Sequence, residues 1–280
     1  MPGQSTTPAW SPDGGRIAFV RHLSDERQIF TVRLDGRDRR RLSLLPGRAS
    51  APAWSPQGRW IVFVLSDGGS QIALVREDGR AQRLLTRLPG ERRTPAWSSD
   101  GQWIAFLSRE GTEPFSLYVV RPDGTGLRRV PTRAPGLQPD VTSFVWVPDG
   151  RLAYTSRSGP AQEAVTMTTR DGTDQVYLGT ASAPAWAPDG RRYAFVVSRV
   201  GGAQIYVRDR IGAPLVRLTD PRVISVRPAW SPDGRRIAFL IIDRGLVSLA
   251  VMNADGSDQR RLTILYGDLS TSPVFAWRPR

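Results

Sequence analysis

The residue types that most often carry acid–base, nucleophilic or metal chemistry are scarce in this sequence. The chain of 280 residues contains one histidine, His22, and no cysteine. A histidine metal cluster is therefore impossible, and a Ser-His-Asp arrangement would depend on His22 alone, which we place in a loop. The Gly-x-Ser-x-Gly turn of serine hydrolases is also absent. We predict no catalytic residue, no metal ligand and no cofactor.

Carboxylates are the remaining groups that could perform chemistry. Several acids fall in loops that vary along the chain, and oxygen ligands suit a hard cation such as Ca²⁺. Their scatter gives no recognisable ligand spacing. They are Asp25, Glu26, Glu110, Glu113, Asp140, Glu163, Asp220 and Asp243. An enzyme or metal-binding domain that gathers some of them at a channel is the alternative to a non-catalytic protein.

The basic residues are all arginine, 39 in number, and the net charge is +13. An arginine-rich surface suggests an anionic partner such as nucleic acid or an acidic protein. Many of the arginines, however, lie beside short apolar segments that we expect at the outer edges of sheets, where charges hinder edge-to-edge pairing. The aromatic residues that would stack on bases fall at expected core positions. We therefore expect a protein or peptide partner, including an acidic one, and no nucleic acid.

The elements that must position these groups are set by a repeat. The segment Pro8-Ala9-Trp10-Ser11-Pro12-Asp13-Gly14 recurs with variations along the whole chain. Its tryptophans follow one another at intervals of 40 to 49 residues, which is the signature of a repeat architecture. They are Trp10, Trp54, Trp97, Trp146, Trp186, Trp230 and Trp277.

Each repeat contains four short apolar segments separated by turn signals. The tryptophan segment ends in a turn such as Pro-Asp-Gly, runs such as Ile17–Val20 and Ile29–Val32 follow, and an Asp-Gly turn precedes the fourth segment. Alternation with a period of two predicts strands. Four antiparallel strands in about 40–45 residues are typical of a propeller blade.

The sequence predicts an all-β fold without helices, in which blades pack around a ring. We expect one domain over residues 1–280, with six four-stranded blades at about 7–43, 51–86, 94–130, 143–178, 183–219 and 227–263. An extra inner strand, 273–277, follows near the ring closure. It either extends or replaces the first strand of the first blade, or begins a seventh blade.

The best-preserved repeat, Pro228 to Thr263, reads Pro-Ala-Trp-Ser-Pro-Asp-Gly-Arg-Arg-Ile-Ala-Phe and ends in Arg-Arg-Leu-Thr. This pattern resembles the WD40-like repeat of the TolB-like six-bladed β-propellers over nearly the whole chain. The resemblance implies a scaffold for proteins or peptides. It also covers receptor-like domains and gating or sensor domains of larger peptidases or kinases. Lyase relatives would need a histidine metal site that His22 alone cannot supply.

One side of such a propeller is expected to carry recognition. The turns after the first and third strands are short and nearly invariant, whereas the loops after the second and fourth strands differ, so specificity belongs to the second set. The first strands should begin at the mouth of a central channel. The candidate binding residues are Arg93, Ser143, Ser182 and Arg227, with Asp140 in the long connector 131–143. The two arginines would hold a carboxylate or a peptide C-terminus.

Sequence features bearing on the cellular compartment are few. Residues 1–7 lack the basic start and apolar core of a signal peptide, and no apolar run approaches the length of a membrane span. TolB-like propellers are often extracytoplasmic, so the resemblance implies a periplasmic or secreted location. We also expect a monomer.

Overall fold

The computed structural model describes residues 5–23, 26–132, 140–157, 163–199, 202–265 and 276–279. These ranges contain 24 β-strands and no helix, as the period-two patterns predict. The described part of the chain accordingly has no helix that is long and apolar enough to cross a membrane. The strands fall into six units of four.

The first three units occupy the amino-terminal half of the chain. Unit one is β1 (Ser5–Trp10), β2 (Arg16–Leu23), β3 (Glu26–Arg33) and β4 (Arg40–Arg41); unit two is β5 (Arg48–Trp54), β6 (Trp60–Ser66), β7 (Ser70–Arg76) and β8 (Gln82–Leu84); unit three is β9 (Glu91–Trp97), β10 (Ile104–Arg109), β11 (Ser116–Val120) and β12 (Arg128–Arg129).

The other three units repeat the same order. Unit four is β13 (Asp140–Trp146), β14 (Leu152–Arg157), β15 (Glu163–Thr168) and β16 (Gln175–Thr180); unit five is β17 (Ser182–Trp186), β18 (Tyr193–Arg199), β19 (Gly202–Arg208) and β20 (Val216–Arg217); unit six is β21 (Ile224–Trp230), β22 (Arg236–Asp243), β23 (Leu246–Asn253) and β24 (Arg260–Leu265).

Within each unit, strands that follow one another in sequence pair in antiparallel fashion. A single parallel bridge between Arg27 and Arg48 links units one and two into one sheet, and the other four units are separate sheets. The hairpins after the second strands are longer than expected. His22, for example, lies in β2 opposite Arg27 rather than in a loop, because backbone pairing continues beyond the apolar residues.

The turn after the first strand follows the chemistry of its residues. In unit one, the N–H of Gly14 donates to the carbonyl oxygen of Ser11 (2.8 Å), and Gly14 adopts the positive φ of 63° that glycine accepts most readily. The carboxylate of Asp13 accepts from the N–H of Gly15 (2.9 Å). Asp100, Asp149, Asp189 and Asp233 make the same contact in later units. These aspartates therefore build turns.

The core lies between units rather than inside one sheet. In unit six, Trp230, Ile237 and Phe239 are buried together with residues of unit five, including Val196 and Ile205. Burial of these apolar faces is the main favourable contribution to folding. Each unit thus depends on its neighbours, as expected for stacked blades.

A hydrogen bond repeats at these interfaces. The indole N–H of the tryptophan that ends a first strand donates to the carbonyl oxygen of the alanine before the corresponding tryptophan of the preceding unit. The pairs are Trp54–Ala9 (3.2 Å), Trp97–Ala53 (3.1 Å), Trp146–Ala96 (3.0 Å) and Trp230–Ala185 (3.0 Å).

The seventh tryptophan segment is described only in part, since residues 273–275 of the predicted extra strand lie outside the described ranges. Residues 276–279 are not in a strand, and the pairing of the predicted extra strand stays a prediction. Pro279 nevertheless lies against Gly14, whose Cβ, if present, would be 2.9 Å from the Pro279 carbonyl oxygen. In units five and six the turn glycines, Gly190 and Gly234, meet a proline of the preceding unit in the same way.

Candidate functional site

Four of the first strands share an irregularity in their backbone. In four units, the residue three positions before the tryptophan has a positive φ although it is not glycine, and the pairing register shifts there. Such bulges redirect side chains, and backbone strain of this kind concentrates at functional sites. The residues are Ala51 (49°), Thr94 (47°), Ala183 (48°) and Arg227 (57°).

A cavity of about 800 Å³, which we call the channel cavity, opens beside these bulges. Three bulge residues, Thr94, Ala183 and Arg227, line it, and Ser143 and Ser182 lie on its wall. It is bordered by first strands of units three to six and by residues next to the hairpins after second strands. The structure therefore brings together Ser143, Ser182 and Arg227, three of the five sequence-predicted residues, on the side that carries the variable loops.

The charges at this cavity are both basic and acidic. Arg227 is exposed on its wall. Glu163 also lines the cavity and forms an ion pair with Arg157 (3.1 Å). The cavity thus combines an exposed guanidinium with hydroxyl groups and short apolar surfaces such as Val145 and Val196.

Arg93 lies outside this lining, in a neighbouring cavity of about 450 Å³ that also contains Ser50 and Thr94. Its guanidinium pairs with Glu91 (2.5 Å) and lies 4.6 Å from the centre of the Phe115 ring. Burial of Glu91 would raise its pKa, but hydrogen bonds and attraction from Arg93 and Arg109 lower that pKa below its ordinary value. The guanidinium of Arg93 therefore contacts residues of its own unit, unit three.

Asp140 is also separate from the channel cavity. Its carboxylate accepts a hydrogen bond from the backbone N–H of Phe115 (2.9 Å), and the N–H of Val141 donates to the Phe115 carbonyl oxygen (2.9 Å). Asp140 thus fastens the start of β13 to unit three. The rest of the long connector, residues 133–139, lies outside the described ranges.

Four of the loop carboxylates that could have formed a metal site are paired with arginine. Among the described residues, no group of three or more His, Cys, Asp and Glu side chains is placed to hold a metal ion. The ion pairs are Glu26–Arg41, Glu163–Arg157, Asp220–Arg222 and Asp243–Arg261. On the fourth strands, the arginines are exposed, as expected for sheet edges; examples are Arg40, Arg129 and Arg217.

Sequence reasoning overlooked Arg92, whose side chain is 2% exposed. It precedes Arg93 on β9 and lines two cavities. An alignment of the repeats by their tryptophans would have singled it out, because the equivalent residues are small or apolar. They are Ala49, Val141, Ala181 and Ser225.

Comparison with known families supports the propeller. Residues 3–178 and 143–279 match the family described as the TolB beta propeller domain. The chain belongs to this family. The two matches together span nearly all of the sequence and overlap on unit four, as expected when one repeat unit recurs along a chain.

Several solved structures share the fold of this TolB beta propeller domain. TolB from Acinetobacter baumannii has a TM-score of 0.62 and 19% identity; the match covers 88% of this chain and 62% of that one. An oligogalacturonate lyase in complex with manganese has a TM-score of 0.75 and 17% identity, with 95% and 80% covered. A puromycin-hydrolyzing peptidase from Mycobacterium tuberculosis has a TM-score of 0.71 and 18% identity, with 92% and 45% covered.

These similarities concern the fold. At identities below 20%, the same propeller accompanies a TolB, a lyase and a peptidase, so architecture alone does not assign a function. The chain spans less than two thirds of the Acinetobacter TolB and less than half of the peptidase.

Proposed function

We propose that this propeller is a non-catalytic scaffold that binds a protein or peptide at the mouth of its channel. The observation that carries the proposal is the 800 Å³ cavity on the variable-loop side, where bulges in separate units direct Thr94, Ala183 and Arg227 toward one space. Strained backbone at corresponding positions of several units is costly. Its convergence on a cavity supports a binding role.

The lining favours an extended peptide that bears a carboxylate. Arg227 supplies an exposed cation, Ser143 and Ser182 supply hydroxyl groups, and Val145 and Val196 supply apolar contacts. A guanidinium forms strong, directional hydrogen bonds with a carboxylate. The net charge of +13 would also speed the approach of an acidic partner. Arg93 and Asp140 flank the cavity and would act by supporting its walls.

A selection experiment tests this proposal. Random peptides displayed on phage are selected on the immobilised protein, and the enriched peptides are titrated against the wild type, Arg227→Glu and Arg235→Glu. Arg235 is exposed on the opposite, short-turn side and serves as the matched control. We expect Arg227→Glu to weaken binding by about tenfold or more, since reversal of a contacting charge costs at least about 1.4 kcal/mol. An equal loss of peptide affinity in both variants, or no loss in either, would contradict binding at the channel mouth.

A second candidate is an accessory domain of a larger enzyme. The supporting observation is that 92% of this chain matches only 45% of the puromycin-hydrolyzing peptidase. In that arrangement the propeller would control access to a catalytic domain elsewhere. Sequencing the gene beyond both ends of this coding region distinguishes the two candidates, because an adjoining catalytic domain in the same reading frame is required only by the second.

The remaining parts of the proposal concern organisation and location. We take residues 1–280 to act as one monomeric domain, and the resemblance to TolB-like proteins supports an extracytoplasmic location. Nucleic acid is not the proposed partner, because on the described fourth strands the exposed arginines are accompanied by one exposed aromatic ring, that of Tyr177, and a single ring does not make a stacking platform.

A further inference from the structure

Arg92 occupies a position that is part of the core in other units. Five residues before the tryptophan, Ala49, Val141, Ala181 and Ser225 are all buried, with 0% to 6% exposed. Unit three places an arginine there, and its side chain is buried to the same degree. A small residue would satisfy the packing, so the guanidinium is not required by the repeat.

The guanidinium of Arg92 is incompletely satisfied. Its Nη2 donates to the carbonyl oxygen of Pro89 (2.7 Å), whereas Nε and Nη1 are buried without a hydrogen-bond partner. A buried charge with unpaired donors is strongly unfavourable. Burial lowers the pKa of Arg92, while electrostatic interactions with Tyr118 and Glu110 act in the opposite direction. The Nε–H and Nη1–H groups of Arg92 therefore lack hydrogen-bond acceptors.

A cavity of about 280 Å³ lies against Arg92 and is lined by residues of unit three and by Leu88 and Pro89 of the connector before it. It shares no lining residue with the channel cavity. Three residues that carry hydroxyl groups, Ser108, Ser116 and Tyr118, line it. Arg109 and Arg129 also contribute basic groups, and Glu110 and Glu113 contribute acidic groups. Arg109 is already paired with Glu91 (2.8 Å).

We propose that this cavity is an anion site in which Arg92 receives a single carboxylate. Arg92 lines the cavity, and a rotation of its guanidinium would bring the buried Nε–H and Nη1–H groups to a carboxylate oxygen there. The neighbouring hydroxyl groups would donate to the second oxygen. A monovalent carboxylate fits better than phosphate, because Glu110 and Glu113 would repel a doubly charged ion more strongly than a singly charged one. The site is independent of the channel-mouth proposal and stands if that proposal fails.

The carboxylate could belong to a free small acid or to a peptide, and the test distinguishes these sources. Thermal unfolding is measured with sodium acetate, sodium phosphate or sodium chloride at equal ionic strength. It is also measured with an N-acetylated trialanine that has either a free or an amidated C-terminus. The proteins are the wild type, Arg92→Met and, as a matched control, Arg87→Met, whose arginine is exposed.

We expect saturable stabilisation of the wild type and of Arg87→Met by acetate, but not by chloride. Arg92→Met should lose that response while unfolding at an equal or higher temperature in ligand-free buffer, because an apolar side chain of similar size removes the uncompensated charge. Stabilisation by the free-acid peptide but not by its amide would identify the peptide source. Stabilisation by acetate alone would identify the small acid.

An NMR spectrum of the wild type tests the proposal even if Arg92→Met does not fold. With ¹⁵N-labelled arginine, the buried Nε–H of Arg92 should give a slowly exchanging signal that moves on titration with acetate. An Arg92 signal that is unchanged by acetate, or an acetate response that persists in Arg92→Met, would overturn the proposal. So would stronger binding of phosphate than of either carboxylate.

Discussion

The indole Nε1 of Trp277 donates a hydrogen bond to the carbonyl oxygen of Ala229 at 2.9 Å. The contact repeats the one between Trp230 and Ala185, so the last tryptophan takes the next place after unit six. Arg278 then donates to the carbonyl oxygen of Gly14 (3.2 Å). The C-terminal residues 276–279 thus lie between unit six and unit one and connect the two ends of the described chain.

Loss of this connection should be measurable as a loss of stability. Trp277→Phe removes the indole donor and should lower the free energy of unfolding by about 1 kcal/mol. Trp277→Ala also removes apolar contacts and should cost more. For comparison, Trp54 is 9% exposed, and Trp54→Ala should cost about 3–5 kcal/mol. Urea unfolding supplies the values, and an unaltered midpoint for Trp277→Ala would show that the C-terminal segment does not close the ring.

Backbone strain at the bulges beside the channel cavity predicts that a residue favourable for peptide binding lowers the free energy of unfolding. Arg227 holds a φ of 57°, which costs a non-glycine residue about 1 kcal/mol or more. Arg227→Gly should therefore raise the free energy of unfolding by about 0.5–1 kcal/mol while weakening the selected peptides. Ala51→Gly, at the equivalent bulge with a φ of 49°, should stabilise without affecting binding. Destabilisation by both substitutions would contradict the assignment of strain.

Substitution of two glycines by alanine distinguishes the stability cost of a positive φ from the cost of a steric clash. Gly36 has a φ of 77° and open surroundings, whereas a Cβ at Gly90 would lie 2.2 Å from the Arg109 carbonyl oxygen. Gly36→Ala should cost about 1 kcal/mol, and Gly90→Ala should cost at least about 3 kcal/mol because backbone must move. Thermal and urea denaturation both test the ranking, which an equal loss in the two variants would refute.

Acid should weaken the turns that contain aspartate. Hydrogen bonds from the hydroxyl groups of Thr169 and Thr173, followed by the Thr173 N–H, lower the pKa of Asp171 to about 2. Because the folded-state pKa lies below the unfolded value, this stabilisation is present above about pH 4 and is lost as the pH falls toward about 2.

Asp171→Asn should therefore make stability less dependent on pH in that window. Asp220, whose pKa is lowered to about 2 chiefly by its hydrogen bond with Arg222, should behave alike in Asp220→Asn. Urea midpoints between pH 5 and pH 2 provide the slopes. Slopes identical to that of the wild type in both variants would rule out the turn carboxylates as a source of acid sensitivity.

Much of the fold could be read from the sequence because short-range rules determine it. The Pro-Asp-Gly turns and period-two runs predict the four strands of each unit, and the spacing of Trp54 and Trp97 predicts their equivalent places. Hairpin lengths were less accessible: residues 21–23 are polar or mixed, yet they extend β2 because backbone hydrogen bonds do not depend on apolar side chains.

The candidate site was only partly accessible for a different reason. The starts of the first strands converge by ring geometry, so Ser143, Ser182 and Arg227 could be proposed together. The partners of Arg93 and Asp140 depend on contacts with Phe115, which no periodic pattern encodes. Arg92 could have been found by comparing equivalent repeat positions, but its missing hydrogen bonds appear only in three dimensions.

Site-specific photo-cross-linking tests whether a peptide binds at the channel mouth. A photoreactive amino acid replaces either Ser143, on the wall of the channel cavity, or Arg59, exposed on the short-turn side. A peptide selected on the wild type is added, and covalent adducts are counted by mass spectrometry. We expect efficient cross-linking from position 143 that decreases when unlabelled peptide is added, and no cross-linking above background from position 59. Cross-linking from position 59 with none from position 143 would contradict binding at the channel mouth.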